Sequence, residues 1–260
     1  MNKDFSQGGR VLLIGDSILD ALEGADRVEA LMLRQLQQRY PGAPFEVVNK
    51  ARGGMWVGPA DTTGITGISI PLFDTATTGW YFDILKECST ADAIVVLFAG
   101  NDGKVYSPAV FGEKMAALCD RLEEDYPQAQ IVLATGMYQD PAHSAPYHRI
   151  PSMVPGFVQG SLRNEYLHPY YEETRKLARQ RGYLLADACA RLKAETAAGN
   201  WDLRMRADGT LDASKDAEHL GDMNWFTDIH ANPQGAAVIA DVLVKILLGL
   251  DALTPKSAGK

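Results

Sequence analysis

Three cysteines in a chain of 260 residues are too few, and odd in number, to form a disulfide framework. Cys88, Cys119 and Cys189 lie in stretches typical of helices or buried segments, and none has the neighbours of a reactive thiol. We therefore interpret them as small core residues. Basic residues are outnumbered by acidic ones, and the net charge is -8. This balance disfavours nucleic acids and anionic membrane surfaces as partners, because both bind basic surfaces.

Long hydrophobic runs and an apolar signal core are also missing. The most apolar stretch, residues 236–250, contains Asp241 and Lys245, and its apolar positions recur at helical spacing. It therefore predicts an amphipathic helix that packs on a core, and not a membrane span. Because the cysteines are sparse and no signal core precedes the first strand, we expect a cytoplasmic protein. It would be secreted or periplasmic if a signal peptide has been removed.

Motifs for common cofactors are absent from the sequence. No glycine-rich nucleotide loop follows a predicted strand, and no set of histidines, cysteines or acids has zinc spacing. The acidic stretch at 208–216 has the wrong ligand spacing for a calcium loop. The Gly-x-Ser-x-Gly turn of α/β-hydrolases is missing too. We therefore predict neither a cofactor nor a metal.

Strand and helix patterns alternate along the whole chain. The run at 93–98, Ala-Ile-Val-Val-Leu-Phe, is apolar without interruption, as expected of a central parallel strand that is covered on both faces. The alternation predicts a doubly wound parallel α/β sheet. The predicted strands are 11–14, 45–48, 93–98, 130–134 and 183–186, and the predicted helices are 26–40, 110–126, 162–181, 188–198 and 236–250.

No change in composition divides the chain, so residues 1–260 are predicted to form a single domain. Three stretches, near 55–80, 138–160 and 199–225, are rich in Gly, Pro, Thr and aromatic residues, and we interpret them as inserted loops. Loops at the carboxyl ends of the strands often build the ligand site of an open α/β sheet.

Four short polar segments follow predicted strands or lead into the last helix. Residues 15–17 (Gly-Asp-Ser) come after the first strand, and residues 49–54, with paired glycines, follow the second. Residues 100–102 (Gly-Asn-Asp) follow the central strand, and residues 228–235 contain the histidine of Asp-Ile-His-Ala-Asn. Each segment alone is explained as well by a turn or a helix cap. Together they can supply a serine nucleophile, a histidine base and donors for an oxyanion.

The four segments occur in the order of the blocks that define the SGNH hydrolases, the GDSL-like lipase and esterase family, and the chain resembles that family from residue 15 to 235. The resemblance implies a flavodoxin-like three-layer α/β/α sandwich with a central parallel sheet. It also implies cleavage of esters through an acyl-enzyme, with Ser17 as nucleophile and His230 as base. The oxyanion hole would consist of the Ser17 and Gly54 backbone N–H groups and the Asn101 side chain.

The chain departs from the family at the acid of the triad. The family's aspartate usually stands three residues before the histidine, where this chain has Thr227. Asp228 is our candidate orienting acid, because residues two apart in an extended segment point to the same side and Asp228 stands two before His230. The alternatives are a Ser17–His230 dyad with a weaker orienter, or a more distant acid. The distant candidates are Asp222 and Glu218.

The expected substrate is a small-molecule or carbohydrate ester with a short acyl or acetyl group. Trp56, two residues after Gly54, and Trp225, five before His230, are the expected substrate-binding residues, because aromatic side chains often line such pockets. Two other functions would use the same residues. One is an acyltransferase, and the other is a catalytically weak ligand-binding module, for which the shifted aspartate is the support.

Overall fold

The structure is a computed structural model, and it describes residues 3–59, 70–74, 77–138, 163–202 and 230–253. The strands in these ranges are β1 (Gly9–Gly15), β2 (Phe45–Asn49), β3 (Met55–Pro59), β4 (Ile70–Phe73), β5 (Ala93–Leu97), β6 (Gln130–Thr135) and β7 (Leu184–Asp187). Five of them form one parallel sheet in the order β2-β1-β5-β6-β7. All five predicted strands are therefore confirmed, with ends that differ by one or two residues.

Helices cover both faces of this sheet. The longer described helices are α2 (Val28–Arg39), α3 (Trp80–Glu87), α4 (Pro108–Asp125), α5 (Arg163–Arg181), α6 (Ala188–Ala197) and α7 (Pro233–Leu247), and a single turn, α1 (Ser17–Asp20), follows β1. The five predicted helices correspond to α2, α4, α5, α6 and α7. The predicted amphipathic C-terminal helix is confirmed, because α7 buries its apolar residues against the sheet.

The core consists of two apolar layers, one on each side of the sheet. Side chains alternate between the faces along a strand, so Leu12 and Ile94 belong to the cluster that includes α3, α4 and α5. Val11 and Val95 belong to the cluster that includes α2, α6 and α7. Every residue of β5 is buried, which explains its uninterrupted apolar sequence. The result is the expected three-layer α/β/α sandwich.

The strand order reverses at β1, which pairs with β2 on one side and with β5 on the other. In such sheets the connections on the two sides of this point run in opposite directions and leave a crevice at the carboxyl ends of the strands, where ligands bind. Gly15, the last residue of β1, is required for the close contact here. A Cβ at this position would lie 2.4 Å from the Leu97 carbonyl oxygen.

The stretch near 55–80 contains more structure than the loop that its composition suggested. β3 and β4 pair in parallel as a small second sheet, and α3 begins at Trp80. Periodicity did not indicate the two strands because both contain proline, which is uncommon within strands. Most of the stretches near 138–160 and 199–225 lies outside the described residues. In the part of the chain that the structure describes, no helix is both long and apolar enough to cross a membrane.

Candidate active site

Ser17 stands at the turn between β1 and α1, at the carboxyl edge of the sheet. The Asp16 N–H donates to the Leu97 carbonyl of β5 (3.2 Å), and the Asp16 carboxylate accepts a hydrogen bond from the Ile18 N–H (2.9 Å). Asp16 is a buried N-cap, so it ties the turn to the neighbouring strand and starts the helix at Ser17. Ser17 itself is half-buried at the first helical position.

The loop after β2 passes beside Ser17. The Arg52 N–H donates to the Gly15 carbonyl (3.0 Å), and the Gly53 N–H donates to the Asp20 carboxylate (3.0 Å). A Cβ placed on Gly53 would lie 3.9 Å from the Ser17 Cβ. The loop backbone is therefore within van der Waals range of the serine, and it is fixed to both β1 and α1.

Asn49 holds the start of this loop, a role that the sequence did not reveal. Its Nδ2 donates to the Leu19 carbonyl (2.8 Å) and to the Glu29 carboxylate (2.9 Å), and its Oδ1 accepts from the Ala51 N–H (2.9 Å). These bonds connect β2 to α1 and α2. An asparagine directly after a predicted strand was the signal available in the sequence.

Asn101 and Gly54 come together at the end of the loop. The Asn101 Nδ2 donates to the carbonyl of Met55 (3.1 Å), the residue that follows Gly54. Gly54 has φ +78°, a left-handed conformation that favours glycine. Two of the predicted oxyanion donors, which are 47 positions apart in the sequence, therefore lie close to one another.

Asp102 stabilises the arrangement of Asn101 and Gly54. It is fully buried, and its Oδ1 accepts a hydrogen bond from the Val57 N–H of β3 (2.8 Å). Its own carbonyl accepts from the Val105 and Tyr106 N–H groups (2.8 and 2.7 Å). Asp102 thus fastens the small second sheet to the turn that carries Asn101. Sequence reasoning had used this aspartate only as part of a motif.

His230 lies two residues before the N-cap of α7. Asn232 is the N-cap, and its Oδ1 accepts from the Gly235 N–H (2.8 Å) and from the Trp201 Nε1–H (2.9 Å). Its Nδ2 donates to the Asp202 carbonyl (3.0 Å). A Cβ on Gly235 would lie 3.0 Å from the Trp201 Nε1. The spacing His-x-Asn-x-x-Gly therefore encodes a capped helix start that leaves room for a tryptophan.

The segments that carry the histidine and the serine both contribute to the core on the same face of the sheet. Ala231, next to His230, and Ile18, next to Ser17, both belong to the cluster on the α2, α6 and α7 side. No direct hydrogen bond joins Ser17 to His230 among the contacts of the described residues. Catalytic hydrogen bonds are often longer without substrate and tighten when it binds.

Trp56 is only 4% exposed and packs in the core cluster on the α3 side. Its part in substrate binding stays a prediction, as does the orienting role of Asp228, which lies outside the described residues. Four further predicted or alternative residues lie outside them too, and they are Thr227, Trp225, Asp222 and Glu218.

The cysteines behave as core residues. Cys88 and Cys119 are buried, and Cys189 is partly buried. Burial raises the pKa of the Cys119 thiol to about 12, and burial likewise raises the pKa of Cys189 to about 12. A raised pKa favours the protonated thiol at neutral pH, which is a poor nucleophile. Within the described ranges, histidine, cysteine, aspartate and glutamate form no group of three or more that could hold a metal ion.

A flavodoxin-like parallel sheet with a serine and an asparagine after the carboxyl ends of two neighbouring strands, and a histidine before the last helix, is the arrangement of the SGNH class of α/β proteins. The chain belongs to the GDSL-like lipase/acylhydrolase family, whose family model matches residues 13–238. That match includes Ser17, Gly54, Asn101 and His230. No curated protein sequence matches the chain significantly.

Solved structures with the same fold span nearly the whole chain at low sequence identity. One is an α/β hydrolase enzyme from the metagenome of Lake Arreo, Spain, with 15% identity and a TM-score of 0.58, covering 94% of this chain and 96% of that one. A carbohydrate acetylesterase family member from Sinorhizobium meliloti has 14% identity and a TM-score of 0.58, covering 93% and 99%. The catalytic mutant of an acetylxylan esterase from Geobacillus stearothermophilus has 15% identity and a TM-score of 0.57, covering 95% and 97%.

Proposed function

We propose that the protein is a serine hydrolase that cleaves carboxylic esters through an acyl-enzyme intermediate. The observation that carries this proposal is the meeting of three segments at the switch point of the sheet. The loop with Gly53 and Gly54 lies against Ser17, and Asn101 lies against the residue that follows Gly54. A nucleophile and oxyanion donors are needed at one place for acyl transfer, and these residues provide them.

In the proposed mechanism, the His230 imidazole takes the proton of the Ser17 hydroxyl as the oxygen attacks the ester carbonyl. The C–O bond to the alcohol then breaks, and His230 returns the proton to the leaving alkoxide. Water, activated by the same imidazole, hydrolyses the acyl-enzyme and restores Ser17. Asp228 is the proposed acceptor for the other imidazole N–H, which it would hold in the tautomer that the reaction requires.

Negative charge on the carbonyl oxygen would be stabilised by the Ser17 and Gly54 N–H groups and by the Asn101 amide. The hydrogen bonds from Asp16, Arg52 and Asn101 to neighbouring backbone fix these segments before substrate arrives. Donors that are already oriented stabilise a developing charge without reorganisation during the reaction.

We further propose a short acyl group, with acetyl as the first candidate, on a carbohydrate or another bulky alcohol. Two of the proteins with the same fold support this choice. One is an acetylxylan esterase, and the other is a carbohydrate acetylesterase family member. A panel of 4-nitrophenyl esters of increasing chain length, together with acetylated sugars, tests it. Faster cleavage of dodecanoyl than of acetyl esters would contradict it.

The decisive experiment compares the parent with Ser17→Ala. We expect the parent to hydrolyse 4-nitrophenyl acetate and to be labelled by a fluorophosphonate probe. We expect the variant, folded by circular dichroism, to do neither. Ester turnover in the variant within tenfold of the parent would contradict the assignment of Ser17 as the nucleophile.

Two other outcomes would identify the other candidate functions. A labelled parent that transfers acyl groups to added alcohols or sugars faster than to water would be an acyltransferase. A folded parent with neither labelling nor turnover would be a ligand-binding module that has kept the scaffold.

A further inference from the structure

A cleft of about 570 Å³ opens beside the loop that carries the oxyanion glycine. Ligand sites commonly measure about 300 to 1,000 Å³, so a small molecule fits. The cleft lies between β4 and the start of α3, and its described lining includes Arg52, Asp74, Trp80, Asp83 and Lys86. None of these side chains has a part in the acyl-transfer mechanism.

The cleft is joined to the proposed catalytic loop through Trp80. The indole Nε1 donates to the Lys50 carbonyl (2.9 Å), and the Arg52 guanidinium lies 5.2 Å from the centre of the ring. Trp80 is therefore held in one orientation against the loop. Arg52 and Gly54 are two residues apart, so their Cα atoms are separated by about 7 Å at most. A group in the cleft can thus belong to a molecule whose ester carbonyl lies at Gly54.

The side chains of the cleft suit a neutral, polyhydroxylated ligand. Two cations, Arg52 and Lys86, face two carboxylates, Asp74 and Asp83, and Lys86 already pairs with Asp83 (3.1 Å). This balance offers no net attraction to an ion, and the charged lining is a poor environment for a long acyl chain. Carboxylates accept hydrogen bonds from hydroxyl groups and the guanidinium donates to them. The half-buried indole of Trp80 adds an apolar surface for the C–H face of a sugar ring.

We propose that this cleft is a subsite for a sugar unit of the alcohol part of the substrate, with Trp80 as the platform and Asp74 and Asp83 as acceptors for hydroxyl groups. The inference rests on the proposed ester hydrolase function, since it assigns the cleft to the leaving alcohol. It extends that function by naming the chemistry that selects the alcohol and the side chains that recognise it.

Binding of an unesterified oligosaccharide tests the subsite separately from catalysis. Xylotetraose and cellotetraose are titrated into the parent, Trp80→Leu, Asp83→Asn and Glu124→Gln, with calorimetry as the readout. Glu124→Gln is the matched control, since it removes an exposed carboxylate on α4, which does not line the cleft. We expect the parent to bind at least one tetraose at millimolar concentration or below. Trp80→Leu should weaken it by about tenfold or more, which is 1.4 kcal/mol, and Asp83→Asn by severalfold.

The results separate the subsite from the proposed function. A parent that hydrolyses 4-nitrophenyl acetate but binds neither tetraose overturns the subsite alone. Equal binding by the parent and a folded Trp80→Leu overturns it as well, and so does equal weakening by Asp83→Asn and Glu124→Gln. A parent that binds a tetraose through Trp80 but cleaves no ester contradicts the hydrolase function and leaves the cleft as a carbohydrate site. If Trp80→Leu does not fold, the surface variant Asp83→Asn decides.

Discussion

At the scale of single residues, the site depends on side chains that hydrogen-bond to backbone. Asp16 caps its own turn by accepting from the Ile18 N–H, whereas Asn49 and Asp102 bond to the backbone of distant segments, and none of the three is a proposed catalytic group. These bonds hold the three turns in place, which is the condition for donors that act without reorganisation. Asn101 is the exception, since its amide both contacts the Met55 carbonyl and is proposed to bind the oxyanion.

Asn101→Ala tests the oxyanion role of this amide. We expect kcat for 4-nitrophenyl acetate to fall by about 100-fold or more, with little change in KM, because the charge that Asn101 would stabilise develops only near the transition state. Gln130→Ala is a control, because it removes an amide side chain at the start of β6. The amino ends of the strands lie opposite the carboxyl ends, which Asn101 follows. A raised KM with unchanged kcat in Asn101→Ala would assign the residue to ground-state binding instead.

The orienting acid is tested by a pair of neighbouring substitutions. We predict that Asp228→Asn lowers turnover by about 1,000-fold or more, since loss of the carboxylate destabilises the imidazolium and allows the wrong tautomer. Thr227→Val, at the family's usual acid position, should cost little. Steady-state turnover of both variants decides. A damaging Thr227→Val beside a nearly silent Asp228→Asn would reassign the third member and leave Ser17 and His230 in place.

At the scale of elements, the start of α7 is held by the segment that follows α6, and we call this pair of hydrogen bonds the clamp. Trp201 and Asp202 follow α6 in sequence, and both hydrogen-bond to the Asn232 side chain. Trp201 is 2% exposed, so its indole N–H would lose its buried acceptor if Asn232 moved. His230 stands two residues before this cap. The clamp therefore fixes the backbone two residues after the proposed base.

Trp201→Phe keeps one aromatic ring and removes the N–H donor together with the rest of the buried indole. We expect kcat to fall by about tenfold and the acidic limb of the kcat/KM pH profile to shift, because the imidazole is held less firmly. The loss of one buried hydrogen bond and the cavity left by the smaller ring should together cost about 2 kcal/mol or more of stability.

Tyr126→Phe is the matched control for this variant. It removes a buried aromatic donor of the same kind, the Tyr126 hydroxyl to the Cys88 carbonyl (2.6 Å), next to the amino ends of the strands. We expect a loss of about 1 kcal/mol, because only the hydrogen bond is removed, and an unchanged pH profile. If Trp201→Phe, like Tyr126→Phe, keeps the kcat/KM pH profile of the parent, Trp201 has only a structural role.

At the scale of the whole molecule, an ion pair between a partly buried guanidinium and a buried carboxylate joins α5 to the far edge of the sheet. Arg175 donates twice to the Asp187 carboxylate at the end of β7 (2.8 Å each), and Thr135 at the end of β6 donates to it as well (2.8 Å). Burial raises the pKa of Asp187, but the hydrogen bonds from Arg175 and Thr135 outweigh burial, and the pKa lies below its ordinary value of 3.8.

This pair makes stability depend on pH in acid. Because the folded-state pKa of Asp187 is depressed, its ionised form stabilises the fold above the unfolded-state pKa, and this contribution is lost as the pH falls through the folded-state value. We expect Asp187→Asn to cost about 3 kcal/mol near neutral pH. The difference from the parent should shrink below about pH 4. Urea unfolding across this range measures it, and a constant difference would show that the charge is not responsible.

Periodicity and apolar runs were enough to predict the main sheet. β5 is buried on both faces and α7 buries one apolar stripe. Each burial pattern is visible in the element's own sequence, so both elements could be predicted from it. The small sheet of β3 and β4 could not be found in this way, because both strands contain proline and their packing surfaces come from other elements, α4 and α3.

The sequence by itself determined the order of the chemical groups along the chain. Ser17, Gly54, Asn101 and His230 each stand where a predicted strand ends or a helix begins, and parallel strands bring their carboxyl ends to one edge. Only the tertiary structure decided how these segments are held. The bonds from Asn101 to Met55, from Asp102 to Val57 and from Trp201 to Asn232 join positions far apart in sequence. A pattern along one chain records which face a side chain takes, whereas a hydrogen bond between distant segments depends on where the fold places both partners.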